Sequence, residues 1–389
     1  MMSRICDYSE QIRGVSYKPE DVVDNLDDTS VVLLRANNIR DGQVNYDEVV
    51  YVKRNKVSDK QMLRKGDILI CASSGSKDLV GKAAQIKSDV DCTFGAFCKV
   101  VRPREIHHGF LGMYFQSNKY RRTISQASAG ANINNIKNED IDCLEIGIPT
   151  SEEQEEIYAV LSKVYNVISA RKVELLELDN LIKSRFVELF GTLDNPVQEF
   201  KKNTLKELCN KITDGKHGGC TQEEGTERYF VGAREIYDDE VHYDTAPEIN
   251  VTEFEKDYKR CNIEIGDFLI VNTGATIGKS VIATDERTEH TLLQKSVALL
   301  KVKRELLNPV FLKWCYRVNT KMYMVASASA QPNLLLSKIN ATEIYVPDIE
   351  LQNQFAEFVK QVDKLKFEVQ KSLEETQTLM DSLMQQYFG

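Results

Sequence analysis

Several things are scarce in this sequence. It has no run approaching the eighteen or so apolar residues that a membrane-spanning helix needs. The opening stretch, MMSRICDYSEQIRG, has no apolar segment of the kind an export signal carries. The nine cysteines are odd in number, never spaced CxxC, and lack histidine partners at zinc spacing. That pattern predicts reduced thiols in a cytoplasmic protein, with no disulfide framework and no metal site. The five histidines, at 107, 108, 217, 242 and 290, are too scattered for a catalytic triad. The pair His107-His108, close to Arg102 and Arg104, reads as a solvated turn. Positive charge is also short, with 50 Lys and Arg against 59 Asp and Glu for a net −9. Strong binding to nucleic acid by charge alone is therefore excluded.

That acidity is unevenly spread: residues 1–149 carry +1, residues 192–349 carry −4, and each of two helical segments carries −3. A locally basic reading face is compatible with those figures. At 389 residues, 42% hydrophobic and 28% charged, the chain has the length and composition for two globular cores.

The first of those segments runs from Ser151 to Gly191. Steps of three and four residues give Leu161, Val164, Ile168, Arg171, Leu175, Leu178, Ile182, Arg185 and Leu189, an apolar stripe at heptad spacing. Ser151 with Glu152, Glu153 and Gln154 predicts the cap, and Gly191 the stop. Shifted by 198 residues, the C-terminal stretch Glu350–Gly389 repeats the stripe with Val359, Val362, Val369, Leu373, Met380, Leu383 and Tyr387, interrupted by Lys366 and Thr376. Each segment follows a proline (Pro149, Pro347), shares a glutamine (Gln154, Gln352) and closes on Phe-Gly. Such a helix is roughly 55 Å long at about 1.5 Å per residue, and two exposed stripes of that length predict that the helices pair with each other.

The segments ahead of the helices also share landmarks. Leu34 to Ile39 matches Val231 to Ile236, and Lys65-Gly66-Asp67-Ile68-Leu69-Ile70 matches Ile265-Gly266-Asp267-Phe268-Leu269-Ile270. Gly81-Lys82 answers Gly278-Lys279, and both segments then carry a loop with a short helix (102–115 and 307–316). Small-residue stretches follow at 127–132 and 326–331, and each segment ends in an apolar strand running into proline. The expected class is α+β: two tandem α/β domains with partly antiparallel sheets, at 1–150 and 192–349, alternating with long helices at 151–191 and 350–389 that pair with each other. Asp194-Asn195-Pro196 marks the linker into the second domain.

Motifs for catalysis are incomplete. Gly274-Ala275-Thr276-Ile277-Gly278-Lys279-Ser280 resembles a phosphate-cradling loop, but it has three residues between its glycines where four are needed to wrap the phosphates. A tight strand-to-strand turn with an exposed lysine is expected there instead. Asn195-Pro196-Val197 and Asn308-Pro309-Val310 do not make a methyltransferase motif, and Pro347-Asp348-Ile349-Glu350 lacks the spaced lysine of a nuclease. A non-catalytic recognition protein is the expectation. Candidate DNA contacts are the polar and basic residues beside the shared turns. In the first domain these are Arg35, Asn37, Asn38, Arg40, Ser74, Lys77, Lys82, Arg121 and Arg122. In the second they are Lys216, His217, Arg234, Asn272, Thr276 and Lys279. Arg and Asn suit guanine and adenine edges, while Lys, Ser and Thr suit phosphates.

With two domains and two helices in place, the whole chain resembles the specificity subunits of type I restriction–modification systems. The resemblance rests on the Pro-x-x-x-x-Gln entry into each helix and its aromatic-Gly end, and on Asp214-Gly215-Lys216-His217, whose place in the first domain is taken by Ile12-Arg13-Gly14-Val15. Asn132 with Asn134, and Gln331 with Asn333, answer a further signature. It implies that each domain reads one half of a split double-stranded DNA target and that the helices pair as an antiparallel coiled coil acting as a ruler; because the two domains differ between landmarks, the target is expected to be asymmetric. It also implies that methyltransferase subunits dock on the helices and that a separate motor-nuclease subunit joins for cleavage. S-adenosylmethionine, ATP and Mg would belong to those partners, with no cofactor in this chain. Two other readings stand beside it: a scaffold of two non-DNA binding modules on a coiled-coil stalk, and a nucleotide-dependent enzyme built around Gly274–Ser280.

Overall fold

Four consecutive apolar residues, Ile68–Cys71, fill a central strand of the first unit, and Phe268–Val271 do the same in the second; all eight side chains are inaccessible to solvent. Alternate side chains of a strand point to opposite faces. Ile68 and Ile70 accordingly enter one core with Phe110 and Leu111, while Leu69 and Cys71 enter another with Ile12 and Val100. Phe268 and Ile270 pack with Phe311 and Leu312, and Leu269 and Val271 pack with Val231 and Val281. A sheet covered on both faces needs continuous apolar runs, and these strands carry them.

The computed structural model describes residues 2–76, 79–128, 135–323 and 333–389. The chain forms two units, one of residues 1–172 with 371–389 and the other of residues 173–370. In the first, the main sheet has the order Ser9–Arg13, Cys98–Pro103, Ile68–Cys71, Ala83–Gln85, with every neighbour antiparallel. In the second, Cys209–Asp214, Val297–Val302, Phe268–Val271 and Ser280–Ile282 repeat that order and those directions. A parallel pair recurs too, as Cys92–Phe94 with Ser30–Leu34 and as Thr291–Leu293 with Tyr229–Val231. Terminal strands close each globule, Met2–Arg4 on Glu145–Gly147 and Lys201–Thr204 on Glu343–Val346. The mixed, partly antiparallel architecture read from the landmarks is therefore present twice.

The long helices span Ser151–Phe190 and Ile349–Phe388, 40 residues each. The cap of the first sits one residue ahead of the expected place. Thr150 Oγ1 accepts from the Glu153 amide (3.3 Å) and Glu153 Oε2 from the Thr150 amide (2.8 Å), a capping box begun by Thr150 rather than Ser151. The shared glutamine has one job in both copies. Gln154 Oε1 accepts from His107 N (2.9 Å) and its Nε2 donates to Pro149 O (3.0 Å); Gln352 Oε1 accepts from Asn308 N (2.9 Å) and its Nε2 donates to Pro347 O (2.7 Å). The side chain staples the loop before the short helix to the proline carbonyl.

None of the nine stripe positions of either helix is exposed. In the second unit Ile182, Phe186 and Phe190 share a core with Phe355, Val359 and Val362. Phe186 stands 5.4 Å from Phe355, and Lys366 Nζ lies 2.7 Å from Asp179, so partner numbers run in opposite senses along the two segments. In the first unit Leu161 and Ile168 share a core with Met380, Met384 and Phe388, and the Phe388 ring lies 5.2 Å from Phe110.

Gly191 ends the first long helix at φ +74°, where a Cβ would meet the Asn195 carbonyl. The expected linker Asp194-Asn195-Pro196 is a closed turn: Thr192 N donates to Asn195 O (3.0 Å), Val197 N to Phe190 O (3.2 Å), and the Tyr345 hydroxyl to Gly191 O (3.1 Å). The histidine pair is likewise built in, in place of the expected solvated turn. His107 caps the helix His108–Tyr114 by accepting from Phe110 N at Nδ1 (3.1 Å), and both histidines are half-buried.

Candidate functional site

At one end of each main sheet, five chain segments meet through main-chain hydrogen bonds. In the second unit Lys216 N donates to Leu293 O (2.7 Å), Lys295 N to Lys216 O (2.9 Å), Gln294 N to Val231 O (2.8 Å) and Asn272 N to Ser296 O (3.0 Å). Leu334 N closes the set on Asn272 O (2.7 Å). In the first unit the same bonds join Val15 N to Phe94 O (2.7 Å), Ala96 N to Val15 O (3.0 Å), Gly95 N to Leu34 O (2.9 Å), Ala72 N to Phe97 O (2.9 Å) and Ile136 N to Ala72 O (2.8 Å). The match assigns equivalences residue by residue: Val15 to Lys216, Gly95 to Gln294, Ala96 to Lys295, Phe97 to Ser296, Ala72 to Asn272 and Asn135 to Asn333. Gly14 and Gly215 make the junction possible, since a Cβ on either would strike the carbonyl of the facing strand.

On this common frame the side chains diverge. In the second unit Lys216, Thr273, Gln294, Lys295, Ser296 and Asn333 line a cavity of about 370 Å³. A neighbouring one of about 780 Å³ shares Thr273, Gln294 and Ser296 and adds Arg234 and Glu235. Lys216 Nζ lies 2.6 Å from Asp257 and 3.7 Å from Glu253; the hydrogen bond to Asp257 raises its pKa above the ordinary lysine value. Glu253 is held below the usual carboxylate range, chiefly by the Thr221 hydroxyl (2.7 Å). His217 Nε2 is 3.7 Å from Asp214, a carboxylate also bound by Arg260. Lys216 is thus fixed by acids, whereas Arg234 and Lys295 are exposed. Polar groups arranged around an open cleft can donate to and accept from the edge of a bound polymer.

None of the other described candidates lines either cleft. Asn272 is 3% exposed and Asn38 wholly buried. Asn38 Oδ1 accepts from Arg35 N (2.8 Å) and its Nδ2 donates to the Asn45 and Asp47 carbonyls (2.9 Å each), so that amide shapes its own loop. Arg35 donates to Glu48 O (3.1 Å), Arg40 to Asn37 O (3.3 Å) and Arg121 to Val80 O (3.0 Å). Ser74 Oγ accepts from Ser76 N (3.2 Å). Asn37 and Lys82 are half-buried and Arg122 is exposed. Lys77 lies outside the described residues, as do Asn132, Asn134, Gln331 and most of both small-residue stretches. Gly274–Ser280 forms the turn between Phe268–Val271 and Ser280–Ile282, with Thr276 half-buried and Lys279 exposed, as its spacing predicts. Sequence reasoning missed Gln294, Lys295, Ser296 and Phe97. The signal for the first three was a polar interruption between two buried strands, Thr291–Leu293 and Val297–Val302.

The repeat is matched by a known family. The model of the type I restriction modification DNA specificity domain matches residues 22–178 and again 198–376, and the chain belongs to that family. Among its relatives, the EcoKI specificity subunit of Escherichia coli (strain K12) is 36% identical over 217 residues, covering 52% of this chain and 47% of that one. The StySPI specificity subunit of Salmonella potsdam is 39% identical over 173 residues, covering 44% of this chain and 37% of that one. Each match thus spans less than half of the curated relative. Among solved structures, a type I restriction–modification S subunit from M. genitalium superposes with a TM-score of 0.56 at 17% identity, over 100% of this chain and 96% of that one. A chain from a study of type I restriction–modification complex assembly gives 0.55 at 15%, over 100% and 97%. At those identities the likeness is one of fold.

Proposed function

We propose that the chain is the non-catalytic, sequence-reading subunit of a cytoplasmic type I restriction–modification complex. Each unit reads one half of an asymmetric bipartite target in double-stranded DNA. The carrying observation is that one hydrogen-bonded frame occurs twice with different side chains at equivalent places: Val15, Gly95, Ala96 and Phe97 against Lys216, Gln294, Lys295 and Ser296. Two similar frames with unlike faces suit two different half-sites.

In this reading the long helices form an antiparallel coiled coil that sets the spacer, a view supported by the stripe positions, none of which is exposed. They also dock methyltransferase subunits, and a motor-nuclease subunit completes the assembly; S-adenosylmethionine, ATP and Mg belong to those partners. No helix among the described residues is long and apolar enough to cross a membrane. The test is a salt titration of DNA binding by the full chain with its methyltransferase partner. Affinity should fall steeply and linearly in log–log form as phosphate contacts release counterions. Salt-independent binding, or none, contradicts the proposal.

A further inference from the structure

Phe97 is 71% exposed, more than any other large apolar side chain among the described residues. It does not hang from a loose loop. Its carbonyl accepts from both Ala72 N (2.9 Å) and Ser73 N (3.0 Å), and Cys98 N bonds back to Gly95 O (2.8 Å), closing a tight turn between two strands. The flanking Phe94 and Cys98 are buried, so the backbone is pinned and only Ala96 and Phe97 project. The equivalent turn in the second unit presents Lys295 and Ser296 at the cleft that Lys216 and Gln294 also line, with Ser296 and Gln294 shared by the neighbouring cleft of Arg234. A position that carries a polar side chain at a cleft in one unit is thus held by a rigid, outward aromatic ring in the other.

Resting on the function proposed above, we infer that Phe97 is a specificity-determining residue that packs on a thymine 5-methyl group in the first unit's half-site. The chemistry narrows the choice. A phenyl ring neither donates nor accepts a conventional hydrogen bond, so it cannot read the polar edges of guanine, adenine or cytosine. The thymine methyl is the apolar group that unmodified bases present in the major groove. The first unit therefore reads one position by apolar contact where the second uses polar side chains.

The experiment uses the full chain with its methyltransferase partner and a duplex carrying the motif found by methylation mapping. Exchange of residues 1–149 identifies the first unit's half-site, and each thymine in it is replaced in turn by deoxyuridine, which removes only the methyl. Wild type should lose about fourfold in affinity at one position, the effect of one methyl-sized apolar group. Phe97→Ala should bind the unsubstituted duplex more weakly and no longer distinguish thymine from deoxyuridine, while Phe97→Leu retains part of the preference. Lys295→Ala should leave the thymine preference intact. A half-site without thymine on either strand overturns the inference. So does a wild type indifferent to every substitution, or a Phe97→Ala chain with an undiminished preference. Uniform weakening by Phe97→Ala with no thymine preference in wild type would mark a non-specific wedge, and also overturns it. Absence of any bipartite motif is a different failure, that of the function proposed above.

Discussion

Gln352 shows how much one side chain can hold. Wholly buried, it accepts from the Asn308 amide and donates to the carbonyls of Pro347 and Leu306 (3.1 Å). Gln352→Ala leaves those main-chain groups unpaired, at a cost of about 1–3 kcal/mol each where burial is complete, so chemical denaturation should show a loss of at least ~2 kcal/mol. An unchanged midpoint would mean that water replaces the amide. Lys313 makes the opposite case. Burial pushes its pKa down to about 8, with Asp363, Asp179 and Glu240 favouring the charge, Lys366 opposing it, and Asp239 3.4 Å away. The unfolded chain binds a proton that the folded chain releases between about pH 8 and the ordinary lysine pKa near 10.5, so this residue's contribution improves as pH rises through that window. Lys313→Met should raise Tm at pH 7, with an advantage that narrows above pH 8; a gap independent of pH would contradict the assignment. The residue scale is also where sequence was least legible. Asn38 and Asn272 carry the right chemistry for a base edge, but burial is set by the fold around them, which no local pattern encodes. Phe97 was invisible for the complementary reason: an aromatic between two apolar strands reads as core until the turn is seen.

Among elements, the long helices were plain in the sequence because a heptad stripe is a local, periodic signal that burial enforces. The Gly66-Asp67 and Gly266-Asp267 turns were equally legible, since φ of +93° and +90° requires glycine and the aspartate accepts from the amide three residues back (2.8 Å in both). The junctions of Val15 with Phe94 and of Lys216 with Leu293 were not, being main-chain bonds between segments about 80 residues apart whose only trace is one glycine in each copy. If the helices set the distance between half-sites, removing seven residues from the first of them shortens it by about 10 Å at about 1.5 Å per residue. The mapped spacer should then change while both half-sites persist. An unchanged spacer with full activity removes the ruler role.

At the scale of the whole molecule, duplication is what the sequence disclosed best: a shift of 198 residues aligned the helices, and the two main sheets repeat in strand order and direction. Net acidity, −9 overall, gave no hint of a DNA partner because the helices carry two thirds of the excess. The central claim is that two like frames with unlike faces read two unlike half-sites independently. Its most direct test is single-molecule methylation mapping in a host expressing this chain with its methyltransferase partner, before and after residues 1–149 are replaced by those of another family member. The account predicts one asymmetric bipartite motif, of which the exchange replaces one half and leaves the other unchanged. Identical half-sites, or a change in both halves on exchange, would contradict it.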